Sequence, residues 1–310
     1  MEEEKNTNCL LRFSKPNAKI DDWSFSLPAG FSCPGAQNCL TKINRITGKI
    51  EGEALKGEED FRCFAASQEL IYPAAREQRW SNYKALQALK TTEAMAKALT
   101  VSILDQPQLK ASGRIRIHVG GDFFSEEYLE AWKLVAAFFS EKTFYAYTKS
   151  VPYFIGNILP NNFKITFSYG GKYDNLIDKY RLKFSAVVNS EEEAKNYVWY
   201  DKEGNENIGL EIDHDDSHAW KDDKPFALLI HGVQQAGSPA SIALQKLRKA
   251  GVSSGYGKEA KEERAKEKKE KAEKSFDDFI SKQSLKTSKI SLPVIEGFNF
   301  KNWLIYQETI

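Results

Sequence analysis

Five short apolar segments recur along the middle of the chain, and stretches long enough for helices separate them. Arg114–Val119 (RIRIHV) alternates charged and apolar residues, and Thr143–Thr148 reads TFYAYT. Phe163–Tyr169 (FKITFSY), Phe184–Val188 (FSAVV) and Pro225–Ile230 (PFALLI) follow. Short apolar or alternating runs of this kind predict strands. Between the first two, Ser125–Phe139 predicts a helix. Ser125 can cap it, Glu126 and Glu127 suit the positive end of its dipole, and Tyr128, Leu129, Trp132, Val135 and Ala136 share one face. Ser190 opens a Glu-rich helix start, and Ser238–Ala250 predicts a helix ending at Gly251. Strands joined through helices run parallel with right-handed crossovers. The expectation is an α/β fold, a partial (β/α) barrel of about six parallel strands rather than a closed barrel of eight.

Parallel α/β folds place ligands beyond the carboxyl ends of their strands. In this chain those ends are Gly120-Gly121-Asp122, Tyr147-Thr148-Lys149-Ser150, Ser168-Tyr169-Gly170, Asn189 and His231-Gly232. Turns favour such residues whatever the function, so the convergence of five ends counts for more than any single residue. Gly120, Gly121, Asp122, Tyr147, Ser168 and Asn189 become candidate binding residues. Lys149 can place a positive charge near an anion, and His231 can serve as a general acid or base.

The cysteines carry the sharper signal. Cys33 and Cys39 lie in Ser32-Cys-Pro-Gly-Ala-Gln-Asn-Cys39, and Cys63 lies in Phe61-Arg-Cys-Phe. Thr47-Gly48 reads as a hairpin tip, which would fold the intervening segment back and bring Cys63 to the other two. Cys9 stands apart in a polar N-terminal stretch. Thiolates select zinc or iron–sulfur groups. A structural zinc site takes four ligands, commonly in C-x2-C pairs, and neither close pair is present. Three cysteines match a [4Fe–4S] cluster with one iron left open, although four-cysteine ligation is commoner. Three buried structural cysteines are the alternative.

Composition narrows the function classes. Lys and Arg total 44 against 43 Asp and Glu, so the chain as a whole is no basic nucleic-acid binder. Four cysteines in 310 residues are too few for a disulfide scaffold. No apolar stretch approaches the ~20 residues that span a bilayer, and the acidic start is unlike a signal peptide. A cytosolic-type soluble protein is expected. Charge concentrates in Lys258–Lys274, where 14 of 17 residues are ionised, eight basic and six acidic. Residues 1–255 are therefore expected to form the α/β body, and 256–275 an exposed charged helix or linker. Residues 276–310 would be a tail whose Phe298, Phe300, Trp303 and Leu304 dock on the core.

The ordered runs FSLPAGFSCPGAQNC, RCFAAS, HVGGDFFSEEYLEAW and FYAYTKS resemble the family of phage-encoded proteins named after gene product eighty-eight. The resemblance spans residues 25 to about 150 and continues weakly through LLIHGVQQAGS. It implies an iron–sulfur set on a fold related to radical-SAM barrels, with Cys33, Cys39 and Cys63 as cluster ligands. It also implies work in the cytoplasm of an infected bacterial host. Gly120-Gly121-Asp122 is similar to the Gly-Gly-Glu element that holds the amino group of SAM. Asp122 is one methylene shorter than Glu, and the x5 and x23 spacings differ from the usual C-x3-C-x2-C loop.

Other residues have plainer expected roles. Asp213-His214-Asp215-Asp216-Ser217-His218 could bind a divalent ion, but its polar surroundings predict an exposed loop. His118 is expected to be a satisfied barrel-lining side chain. Arg76, Arg79 and Asn82 are expected to make salt bridges rather than bind anions. The sequence has no Walker phosphate loop, no H-E-x-x-H helix and no G-x-S-x-G elbow between a predicted strand and a helix. Two classes remain. One is an iron–sulfur enzyme acting on a small molecule, by thiol desulfuration or by SAM-dependent radical chemistry. The other is a noncatalytic viral module with a structural metal or cluster and a host or viral protein partner.

Overall fold

The computed structural model of the protein describes residues 11–17, 20–51 and 61–252. Cys9, the charged run and the C-terminal tail lie outside the described residues. In chain order, β1 (Trp23–Phe25) precedes a small hairpin of β2 (Lys42–Ile43) and β3 (Ile50–Glu51). Helices α1 (Phe64–Ile71), α2 (Pro73–Leu89), α3 (Thr92–Leu104) and α4 (Pro107–Ala111) come next. Then β4 (Arg114–Ile117), α5 (Glu126–Phe138), β5 (Thr143–Thr148), β6 (Phe163–Ser168), α6 (Asp174–Tyr180) and β7 (Phe184–Val188) alternate. A short helix α7 (Glu191–Lys195) and a second hairpin, β8 (Val198–Tyr200) with β9 (Glu206–Ile208), lead on to α8 (Ser217–Lys221), β10 (Phe226–Leu229) and α9 (Pro239–Lys249).

Six strands form one sheet in the order β1-β4-β5-β6-β7-β10. Every neighbouring pair in it is parallel. Sequential order without a β1–β10 pairing is an open arc, the partial-barrel architecture that the alternating segments predict. Both free edges are partly covered. Ser14 bridges Ser24 on one side, and Ile212 bridges Ala227 on the other. Such covers blunt an edge that could otherwise pair with another chain.

Strand alternation divides the sheet into two unlike faces. One face presents Trp23, Phe25, Ile115, Ile117, Phe144, Ala146, Phe163, Phe167, Phe184, Ala186, Val188, Ala227 and Leu229 to the main core. There α5 packs Trp132, Tyr128, Leu129 and Val135, all fully buried. Ser125 begins α5 by accepting a hydrogen bond from the Tyr128 N–H, as a capping serine should. Ser190 and Ser238 cap α7 and α9 in the same way. The other, inner face is mixed: Arg116, Tyr147, Ser168 and Ser185 lie toward the strand ends beside Val187 and Leu228.

The hairpin tip falls where expected, with Gly48 at a φ of +66° between β2 and β3. Arg79 forms a buried salt bridge with Glu69 at 2.8 Å, and Asn82 bonds to the backbone of Arg12 and Ser26. Arg79 makes the expected salt bridge, whereas Asn82 and Arg76, which donates to Arg45 O at 3.0 Å, bond to backbone instead.

A candidate functional site lined by three thiols

Each strand of the arc leaves the sheet toward one end, and the chain there closes around a cavity of about 220 Å³. Cys33, Cys39 and Cys63 all line it. So do Gly120, Gly121, Asp122, Tyr147, Lys149, Ser168 and His231. Asn189 does not. It borders a separate groove beside α9, and its N–H is bound to Glu193 Oε2 at 2.8 Å. The chain enters the Ser190 cap directly after β7, which turns Asn189 away from the cavity.

The loop of Cys33 and Cys39 is fixed to the ends of β5 and β6. Ala36 bridges Gly171, the Asn38 N–H bonds Gly170 O at 3.0 Å, and the Lys172 N–H bonds Gly35 O at 2.9 Å. A Cβ on Gly35 would lie 2.0 Å from Lys149 O, so only glycine permits this approach. Cys63 stands at the N-terminus of α1. Glu69 and Arg79 hold that helix to the upstream loop, since Glu69 Oε1 also accepts the Ala29 N–H at 2.9 Å. Gly121 has a φ of +84°, and a Cβ there would fall 2.5 Å from Ser32 Oγ beside Cys33.

All three thiols are free. Burial pushes each one's pKa up, that of Cys39 to about 12 even though the Lys149 ammonium opposes the shift. Backbone N–H groups work the other way: Gly30 at Cys33, Cys39's own at Cys39, and Ala65 with Ala66 at Cys63. Donors aimed at a sulfur favour its thiolate. Among the described residues, no three His, Cys, Asp or Glu side chains gather closely enough to share one metal ion. A single zinc draws its ligands to about 2.0–2.3 Å from one point, so these thiols do not form a ready mononuclear site.

Asp122 is buried, and its carboxylate knits two strand ends together. Oδ1 accepts from the Phe123 N–H at 2.7 Å and Thr148 Oγ1 at 2.6 Å, and Oδ2 accepts from the Lys149 N–H at 2.8 Å. Burial raises its pKa against these bonds. The Lys149 ammonium donates to Ser168 O at 3.0 Å and to Tyr169 O. Ser168 Oγ pairs with Ser185 Oγ at 3.2 Å. His231 Nδ1 donates to Leu229 O at 2.9 Å.

The sequence reading misses one cavity residue, Arg116, and misplaces another, Asp216, on an exposed loop. Arg116 and Asp216 pair in the cavity, and Tyr147 Oη donates to Asp216 Oδ1 at 3.1 Å. The Asp213–His218 stretch is therefore not a plain exposed loop. Its Asp213 side chain is fully buried and Asp216 turns inward, with a φ of +63°. His118 lines the cavity as expected but is only half satisfied. Nε2 meets Tyr128 Oη at 3.0 Å, while Nδ1 is buried without a partner. The backbone at His118 has a φ of +66°, where the chain leaves β4. Burial lowers the His118 pKa to about 3 and keeps the ring neutral.

Fold and site together define a parallel α/β protein of the partial-barrel type with a thiol-lined cavity at its strand ends. Residues 2–266 match the family described as Gene product 88, and the chain belongs to that family. It is 29% identical over 131 residues to the Gene 88 protein of Mycobacterium phage D29, across 41% of this chain and 47% of the relative. The chain thus spans about half the length of the curated relative it matches. No solved structure matches it. Among the described residues, no helix is long and apolar enough to cross a membrane.

Proposed function

We propose that this is a phage-encoded iron–sulfur protein in which Cys33, Cys39 and Cys63 hold a [4Fe–4S] cluster, and that it acts as an enzyme on a small-molecule thiol. The carrying observation is that three free thiols from two separated segments reach one cavity. A cluster takes each thiolate at a different iron, which suits thiols that do not converge on one point. Such a cluster supplies an iron without a cysteine ligand, a Lewis acid for sulfur.

The chain's own residues would do the rest. Lys149 sets a positive charge beside Cys39 and offsets the negative charge of three thiolates. Tyr147 and Ser168 offer hydroxyls that orient a bound molecule, and His231 can accept a proton at Nε2. Phe64, Val187, Leu228 and Ile230 give the cavity an apolar wall. Desulfuration is favoured over SAM-dependent radical chemistry by the three protein donors already bound to Asp122, which leave its carboxylate little capacity for an ammonium group.

Anaerobic purification tests the reading. The protein should be brown, with about four irons and four sulfides per chain. Cys33→Ser, Cys39→Ser and Cys63→Ser should each remove the colour, whereas Cys9→Ser should keep it. Colourless protein with stoichiometric zinc after anaerobic reconstitution would overturn the cluster. A spectral change on adding SAM would move the chemistry to the radical branch.

A further inference from the structure

We propose that His218 is a positioning residue for the cavity. Clasped as an imidazolium between Glu211 and Asp213, it holds the turn that delivers Asp216 to Arg116 and Tyr147, and losing its proton lets that turn go. The device does not depend on what the three thiols hold.

Strand pairing places both carboxylates. The Ala227 N–H bonds Glu211 O at 2.8 Å and the Asp213 N–H bonds Ala227 O at 2.9 Å, so this segment runs along β10 with Glu211 and Asp213 on one side. His218, in the first turn of α8, reaches both. Its Nε2 meets Glu211 Oε2 at 3.0 Å, and its Nδ1 stands 3.7 Å from Asp213 Oδ1.

The number of protons decides what that arrangement is worth. An ionised carboxylate only accepts, so Nε2 donates to Glu211. A neutral ring would then turn the Nδ1 lone pair toward Asp213, whose side chain is fully buried. Nδ1 and Asp213 Oδ2 are both buried without a hydrogen-bond partner among the described residues. A proton on Nδ1 replaces that repulsion with an ion pair. Burial by itself lowers the pKa of such a ring, but the Glu211 bond and the charges of Asp213 and Asp222 outweigh it, and the His218 pKa is raised. That of Asp213 is raised too, by burial first and by the charges of Asp216 and Asp215, although the Asp215 N–H donates to Oδ1 at 3.0 Å. Other neighbours are the Lys183 ammonium, which donates to His218 O at 2.7 Å, Lys224 near Glu211, and the uncharged Phe226 ring at 5.5 Å. Because the folded pKa is raised, the charged ring persists below pH 6.5 and is lost as pH rises through the folded value.

What the clasp holds is strained. Asp216 has a φ of +63°, a conformation that a non-glycine residue keeps only when its surroundings impose it. It stands two residues before His218, its carboxylate pairs with Arg116, and it accepts from Tyr147 Oη at 3.1 Å. If the Arg116 pair alone held the turn, these contacts would be indifferent to the His218 proton.

Nuclear magnetic resonance of the full-length protein, with histidine rings and tyrosine Cζ labelled with 13C, reads both ends of the device. The His218 signal, identified by its absence from His218→Gln, should titrate with a midpoint above 6.5. The Tyr147 signal, identified by Tyr147→Phe, should shift with the same midpoint. Burial holds the Tyr147 pKa well above the usual tyrosine range, so its own ionisation does not enter. In His218→Gln the Tyr147 shift should be lost. Should that variant fail to fold by circular dichroism, Asp213→Asn keeps the ring and the Oδ1 acceptor. Its His218 midpoint should fall back toward 6.5, and the Tyr147 shift should move with it. A wild-type midpoint at or below 6.5, a Tyr147 signal unmoved across that midpoint, or a Tyr147 shift unchanged in either variant would overturn the assignment.

Discussion

The inner face of the sheet carries the same three residue types twice. Nearer the strand starts, Arg114 bonds Asp22 through Nε at 3.0 and 3.1 Å, and Tyr145 Oη donates to Asp22 at 3.1 Å. Two residues further along each strand, Arg116 pairs with Asp216 and Tyr147 donates to the same carboxylate. The first trio is covered by α8, whose Trp220 stacks on the Arg114 guanidinium at 4.2 Å. The second opens into the cavity with the three thiols. Equal side-chain chemistry therefore yields a plug in one tier and a site floor in the other. What covers a trio decides its role.

The largest test of that contrast uses acid, because the cavity tier has a buried neutral histidine. His118 has a pKa near 6.5 when unfolded and about 3 when folded. Between those values the unfolded chain binds one more proton, so stability is full above pH 6.5 and falls as pH drops toward 3. The loss from this group should reach up to about 5 kcal/mol, and His118→Gln should flatten that slope in urea titrations across pH. Next, Asp216→Ala should cost about 3–5 kcal/mol, because it breaks an ion pair whose Arg116 side chain is only 13% exposed. Denaturant midpoints measure it. Asp22→Ala should cost less, about 1–3 kcal/mol, since the Arg114 side chain is 36% exposed to water although the buried Tyr145 hydroxyl loses its acceptor. Equal losses for the two aspartates would erase the distinction between plug and floor.

The fold was largely legible because its apolar face obeys strand periodicity so closely. RIRI, TFYAYT and FSAVV each place every second residue in the core, and serines mark the starts of α5, α7 and α9. β1 has three residues, too short for a pattern. The cysteines and most strand-end residues were legible through residue type and topology. Arg116 was not, because alternation says which face a residue takes but not whether that face is roofed. Asp216 was hidden for a related reason. A polar loop that folds under the sheet has the same composition as one that faces water.

The seat of the cysteine loop has a consequence for the order of assembly. Lys172 Nζ donates to Pro34 O at 3.0 Å across 138 residues of sequence. The turn after β6 that receives Ala36 and Asn38 is likewise synthesised long after Cys33 and Cys39 have emerged. Closing so long a loop is entropically unfavourable until the strands between its ends have paired. The three thiols come together around the cavity only once β5 and β6 are in place. Until then they are exposed sulfurs on an unfinished chain.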